Sequence, residues 1–478
     1  MFKQTLAIAG NTFLESIRQP IYFVLIMAGS LLQVFNLLLS AYSMGYTEEK
    51  EVSGDDKLLL DMGLATVLVV STLLASFIAT NVLSREIENK TALTVISKPI
   101  GRPLFVLGKY LGVAGAISMA VTTMLAFFLL AIRHEVMSTA RDQVDVVVVT
   151  FGGGAILLSV GIGVWCNYFY NWVFSSVATT LLAPLSVLAW LLTTVVGKEW
   201  EVLERTGAFE TWLAEHTSFG EKIAAIGSMP APTEWWKPEI LLASLCVLLA
   251  MLVLTAVAVA VSTRLGQVMT IVVSGGVFMV GLLSNYLLGS SAYQNEPVAS
   301  VTAVELNRDD DTLREPGDTV TLTIDRLPDV EMRVGRTVWL ANDPTGIEMY
   351  TGNPRPEFRG DVEDGTDLLD ASLGRAVVLV SFDRESRELV VANAGGAGVG
   401  ETPTEGDFVF VTPTEVNPAA LVAWSVVPNV QAFWLVDAIT QGHPIPFRYV
   451  GLIFLYSGTQ ITALLGLAVL LFQTRDVG

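Results

Sequence analysis

Long apolar runs leave this chain few choices. Eight stretches, at roughly 21–44, 60–83, 107–132, 147–169, 173–196, 239–263, 267–289 and 448–472, are long enough to cross a bilayer, which takes about 20 residues. Away from their ends they contain no Asp, Glu, Lys, Arg or His. In hydrocarbon each backbone polar group must be satisfied within its own segment, so runs of this kind fold as helices. Only 16% of all residues are charged, against about 25% in soluble domains. The expected fold class is a mostly α-helical polytopic membrane protein with about eight transmembrane helices.

The first 20 residues are not a further span. Phe2, Leu6, Ala9, Phe13 and Ile17 recur at helical spacing, with Lys3, Gln4, Asn11 and Arg18 elsewhere. This pattern predicts an interfacial elbow helix over 1–20, leading into the first span at Pro20, rather than a cleaved signal. Basic residues near span ends set orientation. A cytoplasmic N-terminus puts Lys3, Arg18, the cluster Arg85, Lys90, Lys98, Arg102 and Lys109, then Arg264 and Arg475 inside. The C-terminus is then cytoplasmic too, in a multi-pass protein of the cell membrane. Arg133 and Arg141 fall on the outer side, accompanied by Glu135, Asp142 and Asp145.

Between the seventh and eighth runs the composition changes. Residues 290–446 hold 26 Asp/Glu against 10 Arg and no Lys, and so carry most of the net charge of −19. "DTVTLTIDR" alternates Val320, Leu322 and Ile324 with threonines, "RTVWLA" and "RAVVLVSF" are short apolar runs, and "SFDRESRELVVAN" reads as a hairpin. The division expected is an elbow (1–20), a seven-span region (21–296), an extracytoplasmic β-rich domain built as a barrel or sandwich (297–415), and a re-entry segment with the last span (416–478). Residues 198–238 read as an external amphipathic segment whose Trp200, Trp212, Trp235 and Trp236 suit the headgroup zone.

No catalytic constellation is legible. His134, His216 and His443 are far apart, solvated or interfacial, and share no metal site. Asp309–Asp311 lacks the spacing of a calcium loop. "NAGGAGVGETP" lacks the Lys-Ser/Thr ending of a phosphate loop, so no ATP is bound by that route. Cys166 and Cys246 lie in or beside spans and build no disulfide framework. Span interiors without ionisable groups do not suit an ion-coupled carrier, and the acidic balance gives no footprint for nucleic acid. The chain is expected to be no enzyme and to hold no cofactor.

One segment remains. "SREIENKTALTVISKPIGRPLFVLGKYLG", Ser84–Gly112, gathers the basic cluster between two spans, with Glu86 and Lys90 four apart in the favourable order. Pro99 breaks the helical pattern and Pro103 reopens it. This stretch closely resembles the loop after the second span in the type 2 family of ABC transporter permeases. "NTFLESIRQPIYFVL", "VPNVQAFWLVDAITQGHPIP" and "LLFQTRDVG" are similar to that family's elbow and ending. The likeness covers 1–132 and about 420–478 well, and 239–289 loosely. The chain is similar to the branch that includes the permease of nitrous-oxide-reductase maturation. The hairpin at 147–196 and the insertion depart from the family's six spans.

The resemblance implies a non-catalytic export subunit. Its partners would be a separate ATP-binding cassette protein, which holds ATP and Mg, and a second permease in a homo- or heterodimer. It implies that the loop 84–106 couples the two through Arg85, Glu86, Glu88, Thr91, Lys98, Pro99 and Arg102. The alternative is a receptor or scaffold whose β domain, 297–415, binds an external protein or substrate. Eight spans exceed what an anchor needs. An intramembrane enzyme would need clustered acids that the spans lack.

Overall fold

The computed structural model describes residues 2–40, 54–84, 101–136, 143–215, 230–233, 235–306, 317–342, 377–393, 402–412, 414–440 and 447–473, with single positions 218, 313, 344, 346, 349, 351, 399 and 445. Two units result, one of 1–282 with 428–478, the other of 283–427. In the first, α1 (Phe2–Ile17) meets α2 (Pro20–Ser40) after two residues. Then come α3 (Gly54–Ala79, extended by a π-helical turn at Thr80–Ser84), α4 (Arg102–His134), α5 (Val146–Tyr170) and α6 (Phe174–Thr193). A nine-residue α7 (Gly207–Glu215) precedes α8 (Pro238–Ser262), α9 (Gln267–Leu282) and, after the second unit, α12 (Val436–Thr440) and α13 (Phe447–Gln473).

Among the described residues seven helices are long and apolar enough to cross a membrane, and two broken helix pairs would raise the number to nine. The expected spans at 147–169 and 173–196 are separate helices. Asn171, in the left-handed region at φ 54°, closes α5, and its N–H donates to Asn167 O. The run 267–289 is not a continuous helix. α9 stops after 16 residues, where Gly281 O accepts from Val430 N at 3.1 Å. A Cβ at Gly281 would lie 2.5 Å from Pro428 O, so the re-entry backbone takes the place of a side chain.

α4 and α8 are the hub. Phe105, Ile117, Met124 and Phe128 of α4 and Met251 and Val253 of α8 pack in one apolar core with Leu64, Leu74 and Ile78 of α3. Along α1 the buried residues are Thr5, Thr12, Ser16 and Ile17, while Leu6 and Leu14 are about half exposed. The apolar stripe expected to seat α1 is therefore divided. Small residues face α4 because Gly108 and Gly112 bring the helices together: a Cβ at Gly112 would meet Ala9 O at 2.5 Å. That leaves the large side chains for an apolar medium, as small-residue helix pairs in membranes require.

In the second unit, β1 (Tyr293–Gln294) pairs with β8 (Glu415–Val416). The others, β2 (Ala299–Leu306), β3 (Thr319–Ile324), β4 (Trp339–Ala341), β5 (Val377–Asp383), β6 (Glu388–Asn393) and β7 (Phe408–Phe410), form an antiparallel sheet in the order β4-β7-β2-β3-β6-β5. Its edges meet. Val338 N donates to Val377 O (2.9 Å) and Leu379 N to Arg336 O (2.8 Å), and Thr337 pairs with Val378. The sheet thus closes as a small barrel, which removes the hazard of open edges. Val320, Leu322 and Ile324 point into a single core with Leu379, Leu389 and Val391, and the intervening threonines point out, as the alternation predicts. α10 (Ser290–Ala292) and α11 (Pro418–Val426) flank the strands.

Candidate functional site

The coupling residues named from sequence divide sharply. Arg85, Glu86, Glu88, Thr91, Lys98 and Pro99 lie outside the described residues. Arg102 is described, as the first residue of α4. Its Nη1 donates to Gln473 O at 2.8 Å, the carbonyl of the last residue of α13. A cation there faces the negative end of the helix dipole. Just inside, Phe105 stacks on Phe472 with centroids 5.7 Å apart, both rings fully buried. The α4 side of the loop is thereby locked to the last helix.

The α3 side is held differently. Asn81 Nδ2 donates to Gln19 Oε1 at 2.8 Å, joining the π-helical turn to the two residues between α1 and α2. The hydroxyls of Thr72, Ser76 and Thr80 each donate to the carbonyl four residues back. Ser175 Oγ donates to Arg18 O at 2.9 Å, which brings the start of α6 to the same end of the bundle. Lys109, counted with the basic loop from sequence, is not on a loop. It sits two turns into α4, 5% exposed, with Nζ 3.9 Å from Glu15 of α1 and over the Phe105 ring. α4 starts five residues before the apolar run, which carries this ammonium into the helix pair.

A second charged cluster, at the other end of α4, was not legible as a unit. Arg133 and Asp145 form a bidentate-capable pair at 2.8 Å, their side chains 3% and 0% exposed. Arg133 Nε also donates to Thr193 O at 3.1 Å, and its guanidinium lies 3.8 Å from the Trp235 ring centre. Asp145 works twice, because Oδ1 accepts from Val147 N and Val148 N and caps α5. His134 is buried rather than solvated: Asp145 N donates to its Nε2 at 3.3 Å, so the ring is held as an acceptor on that side. Lys198 meets Glu135 at 2.6 Å, both half exposed.

This cluster explains one of the two arginines that ran against the orientation count, Arg133; Arg141 lies outside the described residues. Arg133 is neutralised in place, and the signal was present in the acids beside it. Trp235, expected in the headgroup zone, covers Arg133, while Trp190 and Trp236 pair at 5.4 Å. Between α2 and α3 a polar group was also missed. Gln33, fully buried, donates to Gly63 O at 3.0 Å, and Asn36 donates to Thr66 Oγ1 at 3.2 Å. Such interhelical bonds contribute about 0.6–2 kcal/mol each in membranes. Among the described residues no three His, Cys, Asp or Glu are close enough to hold a metal, and both cysteines are free.

No protein-family model, curated protein or solved structure matches this chain.

Proposed function

We propose that the chain is the membrane-spanning permease subunit of an ATP-driven ABC exporter, with ATP and Mg held by a separate cassette subunit. The observation that carries this reading is the Ser84–Gly112 pattern together with the way its two ends are fastened. Asn81 ties one end to Gln19, and Arg102 ties the other to Gln473. A force on the segment between them passes to α1, α3, α4 and α13 at once. ATP-driven closure of two cassettes would then bias a rigid-body rocking of the helices between two states. Arg85, Glu86, Glu88, Thr91, Lys98, Pro99 and Arg102 would form this chain's docking surface for its cassette subunit, and a second permease would present its own. The barrel would work outside the membrane, receiving substrate or an external protein.

The test is purification from native membranes without added partners. A cassette ATPase should come with the chain, and its activity should rise in the complex. The double variant E86K/E88K should insert and fold normally but lose that stimulation, since breaking close charge pairs in an interface costs about 2–5 kcal/mol. A chain that brings no ATPase, or a double variant that stimulates like the parent, overturns the reading.

A further inference from the structure

Beside the charged cluster lies a groove of about 360 Å³ between α2, α4 and α5. Its walls are apolar, with Val34 and Leu38 of α2, Phe127 and Leu130 of α4 and Val149 of α5, and its floor is Gly152–Gly153. The glycines create it. A Cβ at Gly152 would touch Leu130 at 3.3 Å, whereas one at Gly153 would meet nothing within 4 Å. Val34, Leu38 and Val149 are each more than half exposed, so the groove opens sideways, along helices with span length and composition. Side chains exposed along such helices meet hydrocarbon where the helices cross a bilayer. At one end His134 and Glu135 form a polar mouth, and Lys198 reaches Glu135 there at 2.6 Å.

We propose that this groove holds one acyl chain of a zwitterionic phospholipid, with the headgroup over the Glu135–Lys198 pair. The volume is near the lower limit of small-ligand sites, about 300 Å³. The groove's apolar walls and lateral opening fit an unbranched hydrocarbon chain. The charges at the mouth choose the headgroup. Among the described residues Arg133 and Asp145 neutralise each other, as do Glu135 and Lys198, and these pairs leave no surplus to select an anionic lipid. It does offer an ammonium for the phosphate and a carboxylate for an amine, side by side. Both partners are half exposed and free to turn from each other to the lipid.

The test uses the full chain, purified in mild detergent with whatever partners accompany it, and native mass spectrometry. One phosphatidylethanolamine should survive delipidation. Added back to stripped protein, phosphatidylethanolamine should raise the melting temperature more than phosphatidylglycerol. Gly153→Leu, which fills the floor, should lose the bound lipid and the melting shift. Gly154→Leu, which also enters open space but is not part of the groove, should keep both. Should Gly153→Leu fail to fold, Val149→Trp closes the same groove from its rim. The double variant E135Q/K198Q should keep a lipid but lose the headgroup preference. Equal lipid retention by the filled-groove variants, a preference for phosphatidylglycerol, or a fall in oligomer mass with no lipid ever present would each overturn the proposal.

Discussion

Asp145 has three tasks in this structure. It neutralises buried Arg133, caps α5 and donates its N–H to His134. Removing one member of a buried pair leaves an uncompensated charge, at a cost of about 3–5 kcal/mol, and the lost cap adds about 1 kcal/mol. Asp145→Ala should therefore lower stability by at least the first amount, read from unfolding in detergent. The double variant R133M/D145N should recover most of the loss, because it removes the charge together with its partner and keeps a capping side chain. If the single and double variants are equally unstable, the pair is not the source of the effect. His134 was read from sequence as one more solvated or interfacial residue. Its role depends on Asp145, eleven positions away, and no local pattern announces that.

At the scale of the elements, the contact between α1 and α4 is where sequence and structure differ most usefully. A helical stripe is visible in the first 20 residues, but the stripe does not say which side faces protein. In water the large apolar residues would turn inward. Against a bilayer they lose nothing by facing out, and close backbone approach favours small residues inside. Gly108 and Gly112 decide it. Gly112→Leu would drive a side chain into Ala9 O and Thr12, and overpacking of this kind costs about 1–3 kcal/mol. We expect the variant to release α1 from α4. A cysteine pair at Phe13 and Gly115, which face each other across the two helices, offers the readout with a short bifunctional reagent, with cross-linking in the parent and its loss in the variant. Retained cross-linking would show that the pair tolerates a wider separation.

For the whole molecule, three predictions concern span order and the insertion. Positive-inside counting sets Ser97 and Ser381 on opposite sides of the membrane. Cysteines introduced there should be labelled by an impermeant reagent from opposite faces, and labelling of both from one face would overturn the span order. The barrel has a core of its own and closed edges, so residues 297–415, about 120 in number, should melt cooperatively when excised. Its pH response follows from two surface carboxylates. At Asp325 slight burial raises the pKa, but hydrogen bonds from Ser300 and the Arg326 backbone, with the Arg326 charge, bring it below 3.8. At Asp383 the Glu385 N–H and Ser386 hydroxyl lower it as well. Groups depressed on folding contribute above their unfolded value and lose that contribution as pH falls through the folded one. The excised barrel should keep its melting temperature down to about pH 4 and lose stability below it. A melting temperature indifferent to acid would remove these two carboxylates from the account.

Much of this protein follows from local pattern alone. Run length made the long helices, period-two alternation made β3 and the β5–β6 hairpin, and Pro103 marked a helix start. These signals are readable because each depends on neighbours within one or two turns. The neutralisation of Arg133 by Asp145 beneath Trp235, the halt of α9 where Val430 takes the carbonyl of Gly281, the tie from Arg102 to Gln473, and the closure of the sheet through Thr337 and Val378 were decided only in three dimensions. Each joins groups that chain order does not pair. A sequence records how polar a residue is, whereas burial and charge are settled by the partner the fold brings to it.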